Sequence, residues 1–186
     1  MIEIKVREKY AGLSYQELID KAYQLGFNYE KYSRSCSQST VVAIHELLEI
    51  DSNVVRVATS SCAGQVDQVV GTCGGLIGGT MVLDYFFGRP AENMSYQECV
   101  EDNLSLALRS VEIAKQLYNK YVQQYGTILC PHIQVQLFGR HYCLQDEDDS
   151  AKFNQDGAHS DPDKCCHIVG NAAKWTMELL QSGLLS

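Results

Sequence analysis

The 186-residue sequence is poor in proline, in basic residues and in long apolar runs. It has three prolines, and its 23 aspartates and glutamates outnumber its 15 lysines and arginines, so the formal net charge is −8. An acidic chain without clustered positive charge is not expected to bind nucleic acid or an anionic membrane surface. No stretch approaches the roughly 18 apolar residues of a membrane span, and the charged N-terminal segment lacks the apolar region of a secretory signal. We therefore expect a cytoplasmic protein with no membrane or nucleic-acid partner.

Several short motifs of cofactor and metal sites are also missing. The sequence has no Cys-x-x-Cys pair of the zinc-ribbon type, no Cys-x-x-Cys-His for covalently attached haem, no P-loop and no dinucleotide fingerprint. Its acidic segment, residues 145–163, does not fit the spacing of an EF-hand, and we interpret it as a solvated loop. We expect no covalent haem, and any metal ligands must come from separate parts of the chain.

Hydrophobic spacing and capping signals predict helices along most of the chain. The phrase Ser-Tyr-Gln-Glu occurs at Ser14 and again at Ser95, each time before a helical pattern, and fits a capping box. Since no set of alternating strands is evident, we predict an all-α, multi-helix bundle, with residues 1–186 as a single domain. The predicted helices cover residues 15–25, 37–49, 54–59, 73–87, 95–124, 127–138 and 161–180, the last capped by Asp161.

Cysteine is abundant, with eight residues, and several of them fall at predicted helix starts. In a reducing compartment, metal ligation, redox chemistry or burial explains such thiols better than structural disulfides. The free amides and partial positive charge of a helix N-terminus favour a thiolate and lower its pKa. We therefore interpret the helix-start thiols as ligands or redox groups. They are Cys36, Cys73, Cys130 and the adjacent pair Cys165 and Cys166.

Glycines surround one of these thiols in the segment GTCGGLIGGTMVLDYFFG, residues 71–88. Each glycine within a helix costs about 1 kcal/mol relative to alanine, so the run needs a compensating contact. We expect Gly74, Gly75 and Gly78 to clear space for a cofactor bound by Cys73. The alternative is that these glycines let a neighbouring helix pack closely.

Four segments follow one another as in a known family: CSQSTVVAIHELLEI at 36–50, TCGGLIGGTMVLDYFFG at 72–88, YGTILC at 125–130 and KCCHIVGNAAKWTMELL at 164–180. The chain resembles the redox-active proteins named for a Cys, Gly-Cys-Ala-x-x-Gly, Cys, Cys pattern, and is similar to the cluster-bearing C-terminal part of split-Soret cytochromes c. It departs from the family in having Cys73-Gly74-Gly75 where Cys-Gly-Ala is expected.

This resemblance implies a helical redox domain that binds an iron–sulfur cluster, with [2Fe–2S] preferred over [4Fe–4S]. The family cysteines correspond to Cys36, Cys73, Cys130 and one of the adjacent pair, for which we favour Cys166 over Cys165. Cys62 could be an additional ligand, whereas Cys99 is expected to be buried and Cys143 stays open.

The leading hypothesis is an electron-transfer protein or a component of a redox enzyme, acting with an unidentified redox partner protein. Two alternatives remain open: a cofactor-free thiol–disulfide oxidoreductase, and a structural helical protein stapled by zinc. We also expect a homodimer, because the glycine-rich face and the long helix offer packing surface.

Overall fold

The computed structural model describes the backbone of residues 2–98 and 101–184, and the side chains of all of these except 101, 102 and 181–184. This described part of the chain contains eight α-helices and no β-strand, so the predicted all-α fold is confirmed. The helices are α1 (Tyr15–Ser33), α2 (Cys36–Leu47), α3 (Ser52–Val57), α4 (Gly74–Phe87), α5 (Glu101–Tyr125), α6 (Cys130–Phe138), α7 (Glu147–Gln155) and α8 (Cys165–Leu184).

The core lies where α1, α2, α4 and α8 meet. Helix α8 packs along α1, α2 lies against both α1 and α4, and α4 also contacts α5 and α8. Fully buried side chains from these helices include Ile44, Leu83 and Met177. Burying one such side chain stabilises the fold by about 1.5–3 kcal/mol, so this four-helix contact is the main apolar core.

Helix α1 extends beyond its predicted end. Gly26 was expected to stop the helix near residue 25, but α1 continues to Ser33. A Cβ atom at Gly26 would lie 2.8 Å from the carbonyl oxygen of Val169 and 2.9 Å from Cβ of Ala173, both in α8. The glycine is therefore needed for close contact between α1 and α8, and the prediction that it ends the helix is wrong.

Two other boundaries differ near acidic residues. The segment 145–163 is not a loop throughout, because it contains α7, whose Phe153 is buried. Helix α8 begins at Cys165 rather than near Asp161, whose carboxylate accepts the N–H of Asp163 in a turn. The prediction of a helix over 127–138 is confirmed as α6, with Pro131 in its first turn.

The long helix is described from Glu101 onward. The predicted N-cap, Ser95, accepts the N–H groups of Gln97 and Glu98 at 3.4 Å within a bend over 96–98. The described helix therefore does not begin at Ser95. Cys99 lies outside the described residues, so its predicted burial stays a prediction.

The surface of α5 carries a row of exposed apolar residues. Leu104, Leu108, Val111, Tyr118 and Val122 are each more than a third exposed. The glycine-rich face of α4 is used within the chain, as shown below, so the expected homodimer now depends on α5 alone and stays a prediction. Among the described helices, none is long and apolar enough to cross a membrane.

Candidate metal centre

Five cysteine side chains line one cavity of about 80 Å³. One water molecule needs about 10–15 Å³ of such volume, so the space is larger than a single water site. The thiols come from five separate segments of the chain, which the helix packing brings together. They are Cys36, Cys62, Cys73, Cys130 and Cys165.

Four of these thiols stand at helix starts, as predicted. Cys36, Cys130 and Cys165 are the first residues of α2, α6 and α8. Cys73 is the residue immediately before α4. The fifth, Cys62, follows a single 3-10 turn at Thr59–Ser61. The helix signals in the sequence thus predicted Cys36, Cys73 and Cys130, and predicted the fourth position as one of the pair Cys165 and Cys166.

Polar groups of the chain contact four of the sulfur atoms. The N–H of Ala63 donates to Cys36 Sγ at 3.3 Å, and Gln134 Nε2 donates to Cys130 Sγ at 3.7 Å. Cys62 Sγ donates to the Asp67 carboxylate at 3.3 Å, and Cys73 Sγ lies 4.0 Å from the Tyr121 hydroxyl. The cavity wall therefore supplies two hydrogen-bond donors to sulfur, Ala63 and Gln134, and one acceptor, Asp67.

Burial raises the pKa of every cavity thiol above its ordinary value. For Cys62 the pKa rises to about 11, and the neighbouring Asp67 adds to the effect of burial. At Cys73 the N–H groups of Gly75 and Leu76 lower the pKa, but burial outweighs them. The expectation that helix starts lower these pKa values is therefore wrong for the metal-free protein, in which the thiols are neutral.

The adjacent cysteines of α8 differ in position. Cys165 lines the cavity, whereas Cys166 is 1% exposed and is not part of the cavity wall. Cys143 is exposed and also lies outside the wall. The geometry favours Cys165 over Cys166, the residue that we preferred from the sequence. One residue along a helix turns the side chain by about 100°, and the sequence pattern does not fix that angle.

The glycines of α4 contact other helices rather than the cavity. A Cβ at Gly75 would lie 2.7 Å from the Tyr121 hydroxyl and 3.2 Å from Ala172 Cβ, and a Cβ at Gly78 would overlap the carbonyl oxygen of Ser37. Close helix packing is thus what Gly75 and Gly78 permit. Gly74 differs, because a Cβ there would overlap Cys36 Sγ.

Two acid–base side chains of the cavity wall were not predicted from the sequence. Glu30 and His159 both line the cavity, and His159 Nδ1 lies 3.5 Å from Glu30 Oε1. A signal for Glu30 was present in the sequence, since it continues the buried row of α1 at four-residue spacing after Ala22 and Gly26. For His159 we find no comparable signal. The histidines near cysteines in sequence, His132, His141 and His167, do not line the cavity.

The loop that carries Cys62 has an unusual backbone. Its five non-glycine residues with positive φ are Ala63, Gln65, Val66, Asp67 and Val69, with φ from 45° to 76°. For L-residues this left-handed conformation costs about 1–2 kcal/mol per residue, and branched valine is especially disfavoured. Such strain persists where the surroundings enforce it, typically at ligand sites. Here it places Cys62, Ala63 and Asp67 on the cavity wall.

Among the residues that the structure describes, no three cysteine, histidine, aspartate or glutamate side chains converge closely enough to hold one metal ion. The donors are instead spread around the cavity.

Comparison with known proteins gives one match. The family model described as "Putative redox-active protein (C_GCAxxG_C_C)" matches residues 34–179, and this range contains all five cavity cysteines. No curated protein and no solved structure gives a significant match.

Proposed function

Because the chain belongs to the C_GCAxxG_C_C family of putative redox-active proteins, we propose that its cavity binds an iron–sulfur cluster and that the protein transfers electrons, alone or as a component of a redox enzyme. The observation that carries this proposal is the meeting of five thiols from five segments around one cavity. We assign Cys36, Cys73, Cys130 and Cys165 as ligands, with Cys62 in reserve. A [2Fe–2S] cluster is preferred over [4Fe–4S].

The donor set fits such a cluster. Thiolates are its usual ligands, and four suffice. Metal binding displaces the thiol protons. The raised pKa values of the metal-free thiols therefore disfavour a free thiolate nucleophile more than they disfavour a thiolate bound to iron. When bound, the cluster would take up and release one electron.

The residues of the chain would then hold and tune the site. The Ala63 N–H and the Gln134 amide already donate to two of the proposed ligand sulfurs. Hydrogen bonds to cluster sulfurs stabilise negative charge and raise the reduction potential. The apolar wall, which includes Ile133 and Phe153, would limit water around the cluster.

Two other functions are less well supported. A thiol–disulfide oxidoreductase requires an accessible thiolate, whereas burial raises the pKa of all five cavity thiols. A structural zinc site requires four donors about 2.0–2.3 Å from one point, and no such convergence occurs among the described residues.

The test is a visible absorption spectrum with iron, sulfide and zinc analysis on protein purified without oxygen. We expect coloured protein with iron and sulfide in equal amounts. Cys165→Ser should abolish the colour, whereas Cys166→Ser, its matched neighbour, should retain it. Colourless, iron-free protein after anaerobic reconstitution would contradict the proposal. The zinc content would then separate the structural alternative from the disulfide alternative.

A further inference from the structure

Glu30 is the one carboxylate among the described residues that is fully buried, with an exposure of 2%. Its Oε2 atom has no hydrogen-bond partner. Its Oε1 atom lies 3.5 Å from His159 Nδ1, which itself makes no hydrogen bond. No ion pair with lysine or arginine satisfies Glu30 in the described part of the chain. An unpaired carboxylate buried in this way costs several kcal/mol unless a cation or a proton compensates it.

The position of Glu30 directs it toward the thiols. Along α1 it lies one turn after Gly26, which contacts Val169 of α8, and Cys165 lies one turn before Val169. Helices α1 and α8 are antiparallel, because Tyr15 donates to the carbonyl oxygen of Met177 while Gly26, later in α1, contacts Val169, earlier in α8. These two steps therefore lead to the same end of the contact. Both Glu30 and Cys165 line the cavity there.

From this geometry we infer that Glu30 Oε2 is an oxygen ligand of the metal centre in this cavity. It adds a fifth protein ligand to the four proposed cysteines and binds the same metal atom as Cys165. This inference rests on the proposed function in so far as it requires a metal there. Glu30 lies outside the segment that matches the family model, residues 34–179, so the family match assigns it no role.

The chemistry of the two oxygens supports these roles. Carboxylate oxygen is an ordinary ligand of iron and zinc. Arg34 is the one arginine of the cavity wall and makes no ion pair with Glu30, so a bound metal cation would supply the missing positive charge at Oε2. His159 Nδ1, 3.5 Å from Oε1 and without a hydrogen bond in the metal-free protein, would donate to Oε1 and orient the carboxylate when Oε2 binds a metal.

The experiment is X-ray absorption at the iron edge on anaerobically reconstituted protein. We expect an oxygen or nitrogen shell at about 2.0–2.2 Å beside the sulfur shell at about 2.3 Å, as zinc sites with mixed ligands show. Glu30→Gln and Glu30→Asp should both lose the light-atom shell, the second because its carboxylate is too short to reach. Both should also lose iron to a chelator at least about ten times faster. The control Glu112→Gln, at an exposed residue paired with Lys115, should keep both the shell and the iron.

Distinct outcomes separate this inference from the proposed function. A bound cluster with only sulfur neighbours would overturn the inference and leave the function standing. If no iron–sulfur cluster forms, the same variants loaded with zinc alone are measured at the zinc edge. A light-atom shell that Glu30→Gln removes would then support the inference without the cluster. A shell that survives Glu30→Gln and disappears in His159→Gln would assign the ligand to His159 and overturn the inference.

Discussion

Two groups of helices in this protein begin differently. Helices α1, α3 and α7 have side-chain caps, in which an oxygen of Ser14, Asp51 or Asp146 accepts an N–H of the first turn. Helices α2, α4 and α6 have no side-chain cap of this kind, although Ser35, before α2, is a residue type that often provides one. The Ser35 hydroxyl is buried without a hydrogen-bond partner.

All three uncapped helices carry a thiol at or immediately before their first residue, namely Cys36, Cys73 and Cys130. Each helix leaves its first amide groups without partners inside the helix. In the capped group, oxygen atoms of nearby side chains satisfy them. In the thiol group no such cap forms, and at Cys73 the N–H groups of Gly75 and Leu76 lower the pKa of the thiol. Helices α2, α4 and α6, whose starts bring thiols to the cavity, therefore lack the side-chain caps that α1, α3 and α7 have.

The largest expected effect comes from changing Cys73 to Ser. Serine is a preferred N-cap and its oxygen could accept the free amides of α4, as Ser14 does for α1. We expect iron binding to be abolished, while the free energy of unfolding of the metal-free protein stays equal or rises by up to about 1 kcal/mol. Iron analysis and urea denaturation measure the two effects. A Cys73→Ser protein that binds iron normally would contradict the assignment of Cys73 as a ligand.

The glycines of α4 offer the next test. A Cβ at Gly78 would overlap Ser37, and a Cβ at Gly74 would overlap Cys36 Sγ, so both Gly→Ala changes should destabilise the fold by about 1–3 kcal/mol. Only Gly74→Ala should also reduce iron binding per folded molecule, because it displaces a ligand. Gly12→Ala is the control, since nothing lies within 4 Å of a Cβ there. Equal iron loss in the Gly74 and Gly78 variants would indicate a general packing effect instead.

The stability contributed by the cavity and that contributed by the capped N-terminal end of α1 should change in opposite directions with pH. Burial raises the pKa of Glu30 to about 8 in the metal-free folded state and lowers that of His159 to about 4. Between pH 4.5 and 6.5 the folded state keeps the Glu30 proton and the unfolded state keeps the His159 proton, so the two effects cancel. From about pH 6.5 to 8 only Glu30 contributes, and stability should fall by about 1.4 kcal/mol per pH unit.

At the capped end, Ser14 lowers the pKa of Glu17, so the stability from that contact is lost only as the pH falls through the acid range. Urea denaturation of the metal-free protein from pH 5 to pH 8 measures these slopes. Glu30→Gln should remove the decline above pH 6.5 and expose a rise between pH 4.5 and 6.5 that comes from His159. A wild-type curve that rises from pH 6.5 to 8 would show that Glu30 is not held protonated.

The sequence predicted the all-α fold and the cavity thiols Cys36, Cys73 and Cys130, because hydrophobic spacing and helix starts are local properties. It did not distinguish Cys165 from Cys166, since that choice depends on how α8 is rotated against its neighbours. It also missed Glu30 and His159, which reach the cavity only through long-range packing. Gly26 was misinterpreted for the same reason: a stop signal and a close helix contact look alike until the neighbouring helix is known.

The smallest expected effect comes from removing one serine hydroxyl at a capped helix start and one at an uncapped helix start. Ser14 closes a capping box with Glu17, so Ser14→Ala should lower the free energy of unfolding by about 1 kcal/mol. Ser35 makes no cap, and its buried hydroxyl has no partner, so Ser35→Ala should leave stability unchanged or raise it slightly. Urea denaturation of the two metal-free variants provides the comparison. Equal losses in both would mean that Ser35 does cap α2 and that the thiol-bearing helices are not distinct in this respect.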